Sequence, residues 1–258
     1  HRDLHSFPYT TLFRSRIKYV TLQYIINLYN RKICMLQQEF LGHILSKNQR
    51  ILSLMGPSGT GKSFSAEFIK EYLDYRIAKQ ITTRDKRPDD THYEFISRQE
   101  FVDLENQGKI LGLFAGDKHT LQGNGYGYII EEVLEQLQHD NKLILFPSAY
   151  ELNNPNFGKQ YGTSHKIGLG FTNFQNVKLR ALQCDKVFSE EELQSRIKTA
   201  ATLTEIMENY ARKKDETFKL IYSDSDSLNI QQSKILQLQE ILSFIGYNPN
   251  DFKNQLEE

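Results

Sequence analysis

The sequence has neither an excess of charge nor a cysteine framework. Lysine plus arginine equals aspartate plus glutamate, at 32 each, so no overall field favours binding to nucleic acid or to an anionic membrane surface. The only cysteines, Cys34 and Cys184, lie far apart and match neither a zinc spacing nor a dense disulfide framework. These absences favour a small-molecule partner and a reducing, cytoplasmic compartment.

Long apolar runs are missing as well. No run of about eighteen uninterrupted apolar residues occurs, and the first residues lack the apolar core and small-residue cleavage site of a signal peptide. A membrane-spanning or secreted protein is therefore not expected. The 258 residues, with 39% hydrophobic and 12% aromatic content, suffice for the core of one sizeable domain or two small ones.

The first part of the chain gives a weaker signal. Residues 1–15 have no apolar periodicity, and we interpret them as a non-native leader. Between Tyr19 and Ile44 apolar residues recur at three- and four-residue steps, which predicts a helical extension over residues 16–48. A packing helix and a short dimerising coiled coil both stay open for it, and Met35 is a candidate initiator.

From Arg50 onward the pattern alternates between strands and helices. Arg50–Met55 is a short apolar run that ends in Gly-Pro, which predicts a buried parallel strand followed by a turn. The other predicted strands are Lys142–Phe146 and Phe218–Tyr222, and the predicted helices are Ser63–Tyr75, Ser97–Gln107, Glu131–Gln138, Ser189–Lys213 and Ile230–Ile245. The alternation predicts an α/β fold with a parallel sheet flanked by helices.

Residues 56–63 read Gly-Pro-Ser-Gly-Thr-Gly-Lys-Ser and satisfy the pattern G-x-x-x-x-G-K-[ST] between a predicted strand and a predicted helix. The glycines let backbone N–H groups turn inward around phosphate oxygens, and the helix N-terminus adds partial positive charge. Lys62 is expected to face solvent in the empty loop and to reach the β- and γ-phosphates of ATP, and the Ser63 hydroxyl suits Mg²⁺. The residues predicted to bind ATP are Gly56, Ser58, Gly59, Thr60, Gly61, Lys62 and Ser63.

A second anion-binding segment follows about twenty residues later. Residues 81–88 read Ile-Thr-Thr-Arg-Asp-Lys-Arg-Pro, and Tyr93 comes soon after. Arginine guanidinium groups match phosphate oxygens in bidentate fashion, and a tyrosine adds a neutral donor. Arg84, Arg87 and Tyr93 are therefore predicted to hold a phosphate on a small acceptor molecule.

In this order the two motifs resemble the guanylate kinase family, P-loop kinases that transfer phosphate from ATP to GMP. The resemblance spans Arg50–Ile245 and implies a three-layer P-loop kinase fold with an acceptor-binding insertion and a lid. The family's motifs T-T-R-x-x-R-P and Y-G-[TS] fall on acceptor-binding residues Arg84, Arg87, Tyr93 and Tyr126. Its lid and the following helix carry arginines that close on the transferring phosphate, and Arg180 and Arg196 are similar in placement.

The domain boundaries follow from the resemblance. The guanylate kinase-like domain is expected over residues 49–246, with the acceptor-binding region at about 79–128 and the lid at about 180–196. Residues 247–258 are then expected to form a C-terminal tail.

Departures from the family concentrate where its members read the guanine base. Counting along the chain puts Gly112 and Ser148 where the family has base-reading carboxylates. Gln80 replaces a serine, Tyr128 replaces the hydroxyl residue of Y-G-[TS], and an extra loop is expected over residues 116–122. Phosphate capture is thus retained, whereas discrimination for guanine is expected to be poor.

Two further departures concern the transfer itself. Phe146-Pro147-Ser148 offers no carboxylate to support Mg²⁺, which leaves Ser63 and the phosphates. One lid arginine is replaced near Cys184, with Lys186 as a stand-in.

Three functions stay open at this point. The first is a kinase of guanylate kinase type that converts GMP to GDP, and the second is a sugar-phosphate kinase such as a ribose 1,5-bisphosphate kinase, which Gly112 and Ser148 favour. The third is a non-catalytic binding module, which the intact phosphate loop disfavours. The identity of the acceptor and the oligomeric state do not follow from the sequence.

Overall fold

The computed structural model describes residues 51–86, 92–117, 120–138, 142–154, 164–182, 188–223 and 230–257. The predicted leader, the predicted extension over residues 16–48, Arg87 and Lys186 lie outside these ranges.

Strands and helices alternate along the described residues. In chain order they are β1 (Ile51–Met55), α1 (Lys62–Leu73), β2 (Tyr75–Ile77), β3 (Gln80–Thr82), β4 (Tyr93–Phe95), α2 (Arg98–Asn106), β5 (Ile110–Asp117), β6 (Gln122–Ile129), α3 (Ile130–Gln138), β7 (Lys142–Leu145), a 3₁₀ helix (Ala149–Asn153), β8 (His165–Gly170), α4 (Gln175–Leu182), α5 (Glu190–Ala211), β9 (Phe218–Tyr222), α6 (Ile230–Phe244), a second 3₁₀ helix (Pro249–Phe252) and α7 (Lys253–Glu257).

The larger sheet has five parallel strands in the order β2-β7-β1-β8-β9. Side chains alternate between the two faces of a strand, so Ile51 and Met55 pack in a core with residues of α3 and α5. Leu52 and Leu54 pack on the opposite face with residues of α1 and α6. This helix–sheet–helix arrangement confirms the predicted three-layer α/β fold.

The smaller sheet has four strands in the order β4-β3-β6-β5. Its longest ladder is the antiparallel pair β5–β6, which runs from Ile110 opposite Ile129 to Asp117 opposite Gln122. The expected loop over residues 116–122 is shorter in the structure, because Gly116 and Asp117 belong to β5 and Gln122 belongs to β6, whereas Thr120 and Leu121 form a turn. Glycines at five of the sixteen strand positions weaken the alternation of apolar side chains by which a strand is recognised in sequence.

One face of the smaller sheet packs on α2. The ring of Phe101 lies so close to the backbone that a Cβ atom at Gly125 would come 2.7 Å from it. Ile81, Val102 and Ile110 complete this core. The opposite face carries the residues that were predicted to bind the acceptor, and its Tyr128 packs in a core with Leu145 of the larger sheet.

The segment after residue 246, predicted as a tail, packs against the rest of the fold. The ring centroid of Phe252 lies 6.1 Å from that of Phe68 on α1, and Tyr247 packs on the same core. No helix within the described ranges is both long and apolar enough to cross a membrane.

Candidate active site

The phosphate loop, Gly56–Ser63, follows the carboxyl end of β1 and leads into α1. Its glycines adopt φ angles that favour this residue, at +137° for Gly56 and +87° for both Gly59 and Gly61. A Cβ atom at Gly56 would lie 2.1 Å from the carbonyl oxygen of Leu169, so no side chain fits between the loop and β8. Successive N–H groups in such a turn, at a helix N-terminus, form a cavity for anions.

The carbonyl groups of this loop are engaged by hydrogen-bond donors. Arg180 Nη1 donates to the carbonyl oxygen of Gly59, and Thr60 Oγ1 donates to that of Pro57 at 2.9 Å. Ser223 Oγ lies 3.1 Å from the carbonyl oxygen of Thr60. A carbonyl oxygen that accepts such a hydrogen bond does not point towards a bound anion. The contacts therefore support the loop conformation in which backbone N–H groups can donate to a phosphate.

Behind the loop, a buried polar network connects it to β9 and α6. Ser223 Oγ lies 2.7 Å from Gln237 Oε1, and its single proton serves either this oxygen or that of Thr60. Gln237 Nε2 donates to Ser65 Oγ at 3.4 Å. Sequence reasoning missed Ser223 and Gln237, because no motif includes them and both lie more than 150 residues from the loop.

We expected Lys62 to face solvent, but its side chain folds back onto the loop. Its ammonium donates to the carbonyl oxygens of Gly56 and Pro57, both at 2.7 Å, and the side chain is half-buried. Burial lowers the pKa of Lys62 to about 8. The turn of the loop brings the carbonyl oxygens of Gly56 and Pro57 within reach of the ammonium, which explains the difference. The neighbouring Ser63 is exposed at the start of α1.

The predicted acceptor residues Arg84 and Tyr93 lie together. The guanidinium carbon of Arg84 lies 4.6 Å from the centroid of the Tyr93 ring and 5.7 Å from that of the Phe95 ring. A guanidinium over an aromatic face is held in a defined orientation while it keeps its charge. Arg84 Nη1 also donates to the carbonyl oxygen of Asp85 at 2.9 Å.

Tyr126 shares the face of the smaller sheet that carries this pair. Thr82 is opposite Phe95 in one neighbouring strand and opposite Tyr126 in the other, and residues directly opposite project on the same side. Tyr93 precedes Phe95 by two residues and therefore also projects on this side. The structure thus places Arg84, Tyr93 and Tyr126 on one surface.

Gly112 lies on the other face of the sheet. It is opposite Gly127, and a Cβ atom built at Gly127 would come 3.4 Å from the ring of Phe101 on α2. A Cβ atom built at Gly112 would come 2.2 Å from the carbonyl oxygen of Tyr126. A carboxylate at this position could not reach the surface of Tyr126. The residues of β5 opposite Tyr128 and Tyr126 are Leu111 and Leu113, which are apolar.

Ser148 has a local structural role. It caps the 3₁₀ helix Ala149–Asn153, and its backbone N–H donates to Glu151 Oε1 at 2.9 Å. Glu151 is 4% exposed and is a carboxylate close to the end of β7 that sequence reasoning missed. The available signal was the spacing Ser-x-x-Glu, which is typical of a capping box.

The two predicted catalytic arginines differ in position. Arg180, on α4, is 7% exposed and contacts the phosphate loop and Ser223. Arg196, on α5, lies with its guanidinium carbon 4.2 Å from the ring centroid of Phe188. The structure therefore brings Arg180 to the loop, whereas Arg196 lies against Phe188.

A metal ion would have few protein ligands. No group of three or more His, Cys, Asp or Glu side chains within the described ranges is arranged to hold one. A hydroxyl at the start of a phosphate-binding helix suits Mg²⁺, which keeps several waters and binds mainly through substrate phosphates. Ser63 fits this role as a single protein ligand.

Comparisons with known proteins add little at the level of sequence. No protein-family model matches the chain, and no curated protein matches it either. A solved structure similar to this chain is that of guanylate kinase from Anaplasma phagocytophilum, with 20% sequence identity, coverage of 75% of this chain and 84% of that chain, and a TM-score of 0.48.

Proposed function

We propose that this protein transfers a phosphoryl group from ATP to a small phosphorylated acceptor in the cytoplasm. The observation that carries the proposal is the conformation of the phosphate loop, whose glycines have positive φ angles. Arg180 donates a hydrogen bond to the carbonyl oxygen of Gly59, and Lys62 donates one to that of Gly56. A second cationic group, Arg84, is held over aromatic rings on another surface. Two phosphate-binding groups on one molecule suit a reaction between two phosphorylated compounds.

The chain's residues would act by positioning and by charge. Backbone N–H groups of the loop bind the ATP phosphates, Lys62 stabilises the charge on the β- and γ-phosphates, and Ser63 binds Mg²⁺. When bound, Mg²⁺ offsets the negative charge of the phosphates. Arg180 holds the loop that positions the transferring group, Arg196 stabilises the charge of that group, and Arg84, Arg87, Tyr93 and Tyr126 orient the acceptor.

Nucleoside monophosphates, GMP above all, and sugar phosphates are the two acceptor classes. A binding module without catalysis is disfavoured because the phosphate loop is intact. A coupled assay of ADP release at saturating ATP and Mg²⁺, with each acceptor added in turn, tests the proposal. ADP release that no phosphorylated acceptor stimulates would contradict it.

Arg84→Ala is expected to raise the KM for every acceptor, whatever base or sugar it carries, because the guanidinium grips only the phosphate. A charge-assisted hydrogen bond of about 1.5 to 3 kcal/mol corresponds to roughly a 10- to 100-fold increase. Steady-state kinetics with varied acceptor measures the change. Arg212→Ala, at the exposed end of α5, is the matched control, and a change in the KM for ATP alone would show that the acceptor site lies elsewhere.

ATP binding is expected to take up protons at mildly alkaline pH. Burial lowers the pKa of Lys62 to about 8, and a phosphate beside the ammonium favours the charged form and raises this pKa again. Between pH 8 and the ordinary lysine range the bound state therefore carries more protons, so the affinity for ATP falls as the pH rises above about 8.

Calorimetric titrations in two buffers of different ionisation enthalpy, at about pH 9, measure this uptake. We expect up to one proton per ATP in the unaltered chain and none in Lys62→Met. Lys70→Met, an exposed lysine on the same helix, should leave the uptake in place. Equal uptake by Lys62→Met and the unaltered chain would assign it to another group.

A further inference from the structure

The surface that carries the predicted acceptor residues consists of two rows of side chains across the smaller sheet. Gln80 is opposite Tyr93 in β4, and Leu111 is opposite Tyr128 in β6. The register of β3 and β6, with Ile81 opposite Gly127, places Gln80 next to Tyr128. We call these four residues the inner row, and we call Phe95, Thr82, Tyr126 and Leu113, one step further along the strands, the outer row.

The inner row is closed. Gln80, Tyr128 and Leu111 are 3%, 1% and 2% exposed, and the ring of Tyr128 packs in the core that contains Leu145 of β7 and Leu152 of the 3₁₀ helix. Burial raises the pKa of Tyr128 well above its usual range, as expected of a hydroxyl removed from water. Three of the four positions are thus filled by protein, and Tyr93 alone is half-buried.

Two hydrogen bonds fix this closure. The backbone N–H of Phe146 donates to Tyr128 Oη, and Gln80 Nε2 donates to the carbonyl oxygen of Phe146 at 2.8 Å. Both backbone groups of Phe146, the residue after β7, are therefore satisfied by side chains of the smaller sheet. A ligand that entered the inner row would have to break both bonds and displace a buried ring, which leaves polar groups without partners.

The outer row is more open. Phe95, Tyr126 and Leu113 are half-buried, and only Thr82 of this row is fully buried. Arg84 lies over Phe95 and Tyr93. The exposed part of the surface thus offers a cation, two aromatic rings and a tyrosine, next to a closed inner row. Among the described residues, this surface suits a phosphate with a compact body attached, because the buried inner row leaves no recess there for a planar base.

We propose that Tyr128 and Gln80 are specificity-determining residues that close the inner row, and that the acceptor is therefore a compact phosphorylated sugar without a nucleobase. The inference rests on the proposed function and selects one of its two acceptor classes. Tyr128 acts through the volume of its ring, and Gln80 acts by holding Phe146 against it.

Kinetics with the unaltered chain provide the first test. kcat/KM is measured by ADP release with ribose 5-phosphate, ribose 1,5-bisphosphate, GMP, AMP, CMP and UMP. At least one pentose phosphate is expected to exceed every nucleotide by tenfold or more. A nucleotide that equals or exceeds both pentose phosphates would overturn the inference.

Removal of the ring provides the second test. Tyr128→Ser is expected to move the ratio of kcat/KM for nucleotides to that for pentose phosphates upward by tenfold or more, through a lower KM for the nucleotides. Gln80→Ser, which removes the hydrogen bond to the carbonyl oxygen of Phe146, is expected to raise the same ratio. This variant provides the test if Tyr128→Ser does not fold. Tyr150→Ser removes an exposed tyrosine from the adjoining 3₁₀ helix and should leave the ratio unchanged. Ratios that stay constant in folded Tyr128→Ser and Gln80→Ser would overturn the assignment of these two residues.

Binding without turnover separates the two proposals. Calorimetric titration of the chain with ribose 5-phosphate and with GMP, in the absence of ATP, measures selectivity even if no phosphate is transferred. If no acceptor stimulates ADP release but ribose 5-phosphate binds more tightly than GMP, the proposed function would be overturned and this inference would be supported. Tighter binding of GMP, or binding of neither compound, would overturn the inference.

Discussion

Replacement of Lys62 by alanine is expected to lower kcat for phosphoryl transfer by about 10²- to 10³-fold, the effect of removing one preorganised charge stabiliser from a transition state. The free energy of unfolding should change little, because the half-buried ammonium is partly desolvated and its pKa is lowered to about 8. Its two hydrogen bonds to loop carbonyls offset that cost in the empty protein. Steady-state kinetics and urea denaturation measure the two effects separately.

Lys70→Ala is the matched control for this change. Lys70 lies two turns further along α1, is exposed, and pairs with Glu67 at 2.9 Å, an interaction that contributes little at a surface. It should leave both kcat and stability nearly unchanged. Near-normal turnover in Lys62→Ala would remove the phosphate loop from the chemistry.

Asp215→Ala is expected to lower the free energy of unfolding by about 3–5 kcal/mol, because it leaves a buried cation without its partner. Lys166 is 1% exposed, and its ammonium lies 3.6 Å from Asp215 Oδ2. The carboxylate also accepts hydrogen bonds from Tyr210 Oη at 2.9 Å and from the backbone N–H of Thr217 at 2.9 Å. Equilibrium denaturation measures the loss, and Asp103→Ala, an exposed carboxylate on α2, should change stability by no more than about 0.5 kcal/mol.

A double variant sharpens this prediction. Lys166→Met removes the buried charge, so Asp215→Ala should cost much less in that background. Additive losses, or a loss below about 1 kcal/mol for Asp215→Ala alone, would contradict the role given to the pair. The KM for ATP should stay unchanged in every case, because Lys166 lies near the start of β8 and the phosphate loop follows the end of the parallel β1.

The same pair contributes to the acid sensitivity of the fold. Burial acts to raise the pKa of Asp215, but hydrogen bonds from Thr217 and the charge of Lys166 outweigh it, so this pKa lies below its usual range. A carboxyl with a lowered pKa in the folded state stabilises the protein above its ordinary, unfolded pKa. That contribution is lost as the pH falls through the lowered value.

Three strands of the larger sheet, β1, β7 and β9, and the phosphate loop could be predicted from sequence because their signals are local, whereas β2 and β8 were missed. Each helix repeats apolar residues along one face, and the loop motif requires glycines, a lysine and a serine within eight residues. The smaller sheet is different. Its strands are short or rich in glycine, and its pairings, such as Thr82 with Tyr126, depend on which side chains pack on α2. No local pattern contains that information.

The acceptor surface shows the same limit in finer detail. Counting along the chain assigned Gly112 to a base-reading position, yet the register of β5 places Gly112 on the opposite face and Leu113 next to Tyr126. A shift of one residue in a strand exchanges the two faces. Gln80 and Tyr128 were identified as departures, but their common contact, the backbone of Phe146, depends on how the two sheets meet.

The contacts of Arg180 and Ser223 with the phosphate loop, and of Gln237 with Ser65 on α1, also bear on how the protein folds. These residues lie 121 to 172 positions from their partners along the chain, so the contacts form only after most of the chain has collapsed, and closing such long loops is slow. A peptide of β1, the loop and α1 would contain the whole motif and lack every one of these supports. The affinity for phosphate that we propose for this loop would therefore be acquired late, and its appearance during refolding would mark the completion of the tertiary structure.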